Sequence, residues 1–445
     1  MRTVISVVAA AACGSIALAQ PCEPSWDYAV GTPGASSGYV GALTIYQGDL
    51  VVSGSFPSMA GAASTQFLAR LDRDSGVWSS FGPGLGSGIS NAFGTSFAEM
   101  GGDLFVGGFF ADAAGVPDTK SIARWDGSAF HSLGTGWAFD SVNAVWSLLA
   151  TDAIDGQDRL YIGGGFDNIA GQPAGCIAQW DGTTLTPLAP TMTLVGINPL
   201  VTAMTVFDDG QGGGEQLYIG GRFSAVGGVA ANMIARWNGS VWTPVGTNLT
   251  PRLATGEIDG MVVWDDGSGP ALYVGGINFQ VNGVSYSVAK WNGLTWTPVG
   301  QNLAGRTWTL AVFDDGSGEA LYGGGTQASV GRIYRLEGNT WVMLDGGADA
   351  QVVKLLVDGS RMYAAGSFTQ VDGLATGRMV ERVGCGPVCG CPADYNGDGG
   401  VDGSDVEAFY NDWESSIGCS DVNQDGGVDG SDVEAFFGAW EAGGC

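Results

Sequence analysis

The sequence predicts an all-β chain, a seven-bladed β-propeller, followed by a small all-α domain, and three observations carry that expectation. A leucine-led apolar pair recurs at Leu50, Leu104, Leu160, Leu217, Leu272 and Leu321, with Met362 as a worn seventh copy, at intervals of 41 to 57 residues. Each copy holds several short strand patterns cut by glycine and Asn-Gly or Asp-Gly turns. Beyond residue 392 the pattern changes to an acidic stretch repeated after 27 residues and followed each time by a helical spacing of apolar residues. Strand-built repeats of about fifty residues point to radial or stacked architecture, and four strands in that length make one propeller blade.

The copy from Val201 to Gly246 shows the unit most clearly. Val201 to Phe207 is an apolar run closed by Asp208-Asp209-Gly210, and Leu217-Tyr218-Ile219 is stopped by Gly220-Gly221, where glycine allows close backbone approach. Met233 to Trp237 forms the third strand, and Asn238-Gly239 supplies the positive φ that a type I′ turn needs. Val241 to Val245 returns as an edge strand, because Pro244 cannot donate to a ladder.

A glycine doublet after an aliphatic-aromatic strand, followed by a Trp near a tight turn, resembles the kelch repeat. The matching residues are Gly107-Gly108 with Trp125, Gly163-Gly164 with Trp180, Gly220-Gly221 with Trp237 and Trp242, Gly275-Gly276 with Trp291 and Trp296, and Gly323-Gly324 with Trp341. Ser53-Gly54 and Ala364-Ala365-Gly366 are the departing first and last copies. The resemblance spans roughly residues 26 to 384 and implies a fold, not an activity.

In chain order, Met1-Arg2, an apolar run from Val4 to Ala12 and Ala17-Leu18-Ala19 before Gln20 predict a secretory signal over residues 1–19, with a lipoprotein at Cys13 as the lesser alternative. No later stretch reaches the ~20 apolar residues of a membrane span. The mature chain is expected to be secreted or held at the cell surface. A formal net charge of −28 over 445 residues disfavours nucleic acid and anionic membranes as partners. The last repeat lacks its Trp-bearing fourth strand, and Trp26 to Gly31 echoes Trp242 to Gly246. The N-terminal strand 26–31 is therefore expected to complete the last blade within a propeller of residues 20–384, since ring closure removes exposed strand edges. That closure would set Cys22 beside Cys385, where a disulfide would suit an exported chain. Cys22, Cys385, Cys389, Cys391, Cys419 and Cys445 allow several pairings, whereas Cys176 aligns with Met233 and reads as a buried free thiol.

The repeating tryptophans read as interblade packing, because a residue needed in every blade repeats whereas a binding site seldom does. Departures from the repeat point to binding loops: Trp137, Phe139, Arg252, Tyr286 and Arg306. Asp208-Asp209-Gly210, Asp265-Asp266-Gly267 and Asp314-Asp315-Gly316 read as turns and, secondarily, as weak cation sites on the face that carries the Asp-Gly and Asn-Gly turns. His131 is the only histidine, which excludes multi-histidine zinc or copper centres and disfavours a Ser-His-Asp hydrolase. A carboxylate pair for glycoside hydrolysis stays open, but 45 acidic residues single out none. Asn292 to Trp296 is similar to the Asp-box turn of sialidases, without its acidic residue.

GCGPVCGC opens a cysteine-rich hinge over residues 385–392, ahead of a module over 393–445. Asp394, Asn396, Asp398, Gly400, Asp402 and Asp405 fall at loop positions one, three, five, seven, nine and twelve; Asp421, Asn423, Asp425, Gly427, Asp429 and Asp432 repeat them. This is the spacing of oxygen ligands, with a backbone carbonyl at position seven, that encloses Ca²⁺, so two Ca²⁺ sites are expected. Val406, Phe409, Tyr410 and Trp413, and then Val433, Phe436, Phe437 and Trp440, give each following helix one apolar face, and the two faces can pack together. Aspartate at position twelve and a single helix after each loop make the pair resemble type I dockerin repeats over Asp394 to Glu441. The resemblance implies calcium-dependent folding and docking to a cohesin. Gly403-Ser404 and Gly430-Ser431 stand where that family carries a hydroxyl pair, and no Lys or Arg occurs between Cys391 and Cys445.

The sequence thus predicts a secreted calcium-binding protein whose propeller binds a ligand, glycan or protein without catalysis and whose tail attaches it to a cohesin-like or cell-surface partner. The alternative is a carbohydrate-active enzyme of glycoside hydrolase type, carried into polysaccharide degradation by a dockerin module.

Overall fold

The computed structural model describes residues 24–442 except 32–33, 63–64, 74, 83, 87–91, 135–143, 170, 195–196, 304, 328–329, 345, 385–391, 394, 396–400, 416–419, 421, 423–427 and 429. The signal segment, Cys22, Cys385, Trp137 and Phe139 lie outside the described residues.

Among the described residues, seven antiparallel sheets of four or five strands follow one another along the chain, with three smaller two- or three-stranded ones beside them. Their innermost strands are Tyr39–Tyr46, Phe93–Met100, Val145–Thr151, Leu200–Phe207, Glu257–Asp265, Arg306–Asp314 and Val352–Asp358. Each innermost strand contacts the next around a circle, and Val352–Asp358 contacts Tyr39–Tyr46 to complete it. This is a β-propeller arrangement, and alternating side chains from adjoining sheets form the hydrophobic cores between them.

The last sheet runs Val352–Asp358, Arg361–Gly366, Met379–Val383 and then Ser25–Asp27, so the N-terminal segment supplies its outer strand. Ser25 pairs with Val383, Trp26 with Arg382 and Asp27 with Glu381. The strand is shorter than the expected Trp26 to Gly31: Ala29–Gly31 is a 3-10 turn, where the Gly31 N–H donates to Tyr28 O and Gly31 packs against Met379 and Thr376.

Every innermost strand carries one register irregularity in its first half, at Gly41, Thr95, Trp146, Thr202, Asp259, Trp308 and Val353. A bulge of this kind turns an additional side chain off the sheet. The glycine doublets exist for this geometry. A Cβ on Gly221 would overlap the Leu200 carbonyl oxygen beside the bulge, and one on Gly220 would strike Met261 and Ile258 of the next sheet. In the sixth sheet the equivalent doublet is Gly324-Gly325, one residue later than expected, because the strand Glu319–Gln327 carries three consecutive glycines and only strand pairing fixes which face the bulge.

The tryptophans latch neighbouring sheets. The Nε1 atoms of Trp180, Trp242, Trp296 and Trp341 donate to the carbonyl oxygens of Leu133, Leu188, Val245 and Val299, 42 to 54 residues earlier in the chain, at 2.9 to 3.1 Å. This is the packing role expected of a repeated aromatic. Cys176 and Met233 share a position with positive φ ahead of the third strand, and both are buried. Burial pushes the Cys176 thiol up to about 12, so it is an inert core group.

In the C-terminal region, α1 (Gly403–Ser415) and α2 (Gly430–Ala442) face each other through Phe409 and Phe436. Their rings are fully buried and stacked parallel, with centroids 4.2 Å apart, and Tyr395 stands edge-on to both. Trp440 Nε1 of the second repeat donates to Asp402 O of the first at 3.2 Å, which interlocks the two.

Candidate functional site

The inner strands start at one end of the ring and reach their acidic turns at the other, and the two ends use charge differently. At the turn end, Asp208, Asp265 and Asp314 each accept backbone N–H groups of their own turns. The second aspartate turns inward. Asp209 accepts Tyr218 Oη and Arg236; Asp266 accepts Tyr273 Oη at 2.9 Å and Lys290 Nζ at 2.7 Å; Asp315 accepts Tyr322 Oη at 2.8 Å and lies 3.7 Å from Arg335 Nε. Burial opposes ionisation of Asp266, but hydrogen bonds from Lys290, Ser268 and Tyr273 outweigh it and hold the carboxyl below its ordinary value. Each second aspartate already has a cationic partner and forms a structural carboxylate–tyrosine–base triad, which favours the turn reading of these segments over a cation site at Asp209, Asp266 or Asp315. Asp126, Asp181, Asn238 and Asn292 cap their turns by accepting N–H groups two and three residues on. The sole histidine is part of one such turn, with His131 Nε2 2.6 Å from Asp126 Oδ2.

At the other end the first halves of the inner strands surround a cavity of about 620 Å³ on the ring axis, lined from all seven sheets. The residues turned out by the bulges supply its character: Trp146, Thr202, Asp259 and Trp308 are all in its wall. Arg306 Nε donates to Asp259 Oδ2 at 2.8 Å and its Nη2 to Asp259 Oδ1, while that same nitrogen lies 3.2 Å from Glu257 Oε1. Arg222 Nη1 approaches the other Glu257 oxygen at 3.7 Å. The Arg306 guanidinium stacks 3.6 Å over the Trp308 ring, a cation–π contact that also sets its plane. Burial raises the Asp259 carboxyl far above the carboxylate range, Arg306 pulls it back and nearby Glu257 raises it again. Lys354, from the last inner strand, lines the same cavity, and burial alone lowers its ammonium.

Of the loop residues singled out from sequence, Arg306 belongs to this cavity, but as the first residue of an inner strand. Tyr286 is also a strand residue, within Val284–Trp291, and Arg252 is exposed on the segment after Leu249–Pro251. Sequence reasoning missed Trp146, Asp259, Trp308 and Lys354, whose surroundings read as ordinary strand. Counting back from each glycine doublet to the bulge would have exposed Trp146, Asp259 and Trp308 as the bulky and charged departures among Gly41, Thr95, Thr202 and Val353, and the next position would have exposed Lys354 among small residues.

The calcium-loop residues Asp394, Asn396, Asp398, Gly400, Asp421, Asn423, Asp425, Gly427 and Asp429 lie outside the described residues. Asp402, Asp405 and Asp432 are described: Asp405 and Asp432 are fully buried in the first turns of α1 and α2, and Asp405 Oδ2 accepts the Asp402 N–H at 2.8 Å. A buried carboxylate at the twelfth position of each loop and an all-oxygen donor set fit a hard cation such as Ca²⁺.

No protein-family model and no curated protein sequence matches the chain. Among solved structures, a chain in the mitotic checkpoint complex is similar at 13% identity and TM-score 0.47, over 86% of this chain and 99% of that one. Sqt1 from Saccharomyces cerevisiae is similar at 12% identity and TM-score 0.44, over 79% and 96%. YCF48 from Cyanidioschyzon merolae is similar at 11% identity and TM-score 0.43, over 80% and 98%. The propeller description above rests on strand pairing within this chain.

Proposed function

We propose that this is a secreted, non-catalytic binding protein: a seven-bladed propeller, closed by its N-terminal strand, that holds a ligand in its axial channel, and a dockerin-like tail that folds around two Ca²⁺ and attaches the propeller to a cohesin-like or cell-surface partner. The observation that carries the binding reading is the gathering of Asp259, Arg306 and Lys354, each without a counterpart in the other sheets, and of the bulge tryptophans Trp146 and Trp308 in one cavity, while the repeated acidic residues are neutralised within their own sheets. A site grafted on a rigid repeat is expected to look like this.

For the tail, twelve oxygen-donor positions in two matching loops support Ca²⁺, with Asp394, Asp398, Asp402 and Asp405, and Asp421, Asp425, Asp429 and Asp432, as the carboxylate ligands. Thirteen carboxylates and no basic residue between Cys391 and Cys445 repel one another without the ion, so binding is coupled to folding. Calorimetry on the whole protein should record two calcium sites tighter than about millimolar, the weak end for such loops. Asp398→Ala combined with Asp425→Ala should abolish the heat. An absence of heat with the native chain would remove both the calcium and the attachment reading.

A second reading, a glycoside hydrolase, draws on Glu257 and Asp259, two channel carboxylates of which one is pushed toward its protonated form. Both are tied to a single Arg306 nitrogen, which leaves neither well placed to give a proton to a leaving group. Product analysis on any glycan that binds separates the two: released sugar would establish catalysis, and intact ligand supports a binding site.

A further inference from the structure

The charges in the axial channel do not cancel. Its wall contains Arg222, Arg306 and Lys354 against Glu257 and Asp259. The two guanidinium groups share the two carboxylates, as described above. Lys354 has no hydrogen-bond or ion-pair partner among the described residues. The cavity wall therefore holds three basic side chains against two acidic ones, inside a chain whose formal net charge is −28.

Packing does not require that lysine. The register positions equivalent to Lys354 in the six other sheets hold Ala42, Ser96, Ser147, Ala203, Gly260 and Thr309, all small. Ser96 and Thr309 there accept the N–H of Leu148 and Leu355, a local role that an ammonium cannot take. A cation enclosed without a counter-ion is costly, and the cost falls when an anion enters. The rest of the wall limits which anion fits. Trp146 and Tyr39 offer aromatic surface, while Ser147 and Gln351 offer polar groups. A sugar ring places C–H faces against indole and hydroxyls against such polar groups, and 620 Å³ holds one or two rings.

Building on the binding reading of the channel, we propose that its ligand is an acidic saccharide, a uronate whose carboxylate pairs with Lys354 and whose ring lies against Trp146. The channel is thus selective for a sugar acid over its neutral counterpart, in a protein whose overall charge repels anions.

The test uses the whole protein with calcium present and calorimetric titration of di- and trigalacturonate, the matching neutral galactose oligomers and free acetate. Galacturonate oligomers should bind at least about tenfold more tightly than the neutral ones, the scale of one charge-assisted hydrogen bond. K354M should remove that preference, K354R should retain most of it, and W146A should weaken both oligomer classes. K354M should melt no lower than the native protein, since it removes an enclosed charge from a position that packing does not require. Equal affinity for acidic and neutral oligomers, or an unchanged preference in K354M, overturns the assignment of Lys354 while leaving a glycan-binding channel standing. Binding of acetate as tight as that of the oligomers overturns the sugar. No binding by any of them overturns the acidic-saccharide proposal, and a channel ligand of another class, found by screening native protein against W146A, would then keep the broader binding reading alive.

Discussion

The two ends of the inner strands treat charge in opposite ways. At the turn end the fourth, fifth and sixth sheets repeat one solution: an aspartate from the first turn, a tyrosine from the second strand and a base from the third, seen as Asp209–Tyr218–Arg236, Asp266–Tyr273–Lys290 and Asp315–Tyr322–Arg335. At the channel end the charged groups do not repeat: Arg222, Glu257 and Arg306 come from three successive sheets, Asp259 occurs at one bulge, and Lys354 occurs once. Repetition marks what each sheet needs in order to stand beside its neighbours. Its absence marks what the ring as a whole holds.

The comparison is broken most severely where the ring is not a repeat at all. Deleting Gln20 to Gly31 removes the outer strand of the last sheet and should cost several kcal/mol, seen as a lower urea midpoint, since an opened ring exposes a strand edge. Unchanged melting would refute closure by the N-terminal strand. Next in size is Gly221→Ala, a repeated position. Its Cβ meets the Leu200 carbonyl oxygen, a backbone atom that must shift, and such overpacking should cost about 1–3 kcal/mol. Gly228→Ala should cost less, because nothing stands near its Cβ and only its positive φ penalises the change.

Acid should distinguish the two ends. Asp266 and Asp315 titrate below the ordinary value of 3.8, as hydrogen bonds and their bases outweigh burial. A depressed folded-state value gives stability that is complete above the unfolded value and lost as pH falls through the folded one. The melting temperature should therefore fall as pH drops below about 4. Asp266→Asn with Asp315→Asn should flatten that acid limb while lowering stability at neutral pH. The smallest loss belongs to the channel end: K354M should cost no stability, since it removes an enclosed charge without a counter-ion from a position whose equivalents are small. A large loss would place Lys354 among the structural residues and collapse the contrast.

The strand order, the sheet-closing N-terminal segment, the latching tryptophans and the buried Cys176 were legible because each leaves a periodic or aligned trace in one dimension. The Asp-Asp-Gly turns were visible too, but their meaning was not, since the base that neutralises each aspartate lies 20 to 27 residues away on the third strand. The channel was nearly invisible. A bulge shifts which residue faces inward, and Trp146 or Lys354 in an apolar strand looks like any half-buried side chain until strand pairing assigns its direction. Arg306 stood out as an arginine where neighbouring copies carry none, yet its partners Asp259 and Glu257 come from the preceding sheet.

The indole latches also give the ring a direction in time. Each of Trp180, Trp242, Trp296 and Trp341 finds its carbonyl acceptor in chain already synthesised, so each bond becomes available as soon as its own repeat emerges. Ser25–Asp27 is the exception, for its partners Val383, Arg382 and Glu381 are made after every other strand of the ring. The strand that leaves the ribosome first is thus the last to dock. A contact of such sequence separation is slow to form, so closure is expected to come late in folding, after the sheets on either side of it have formed.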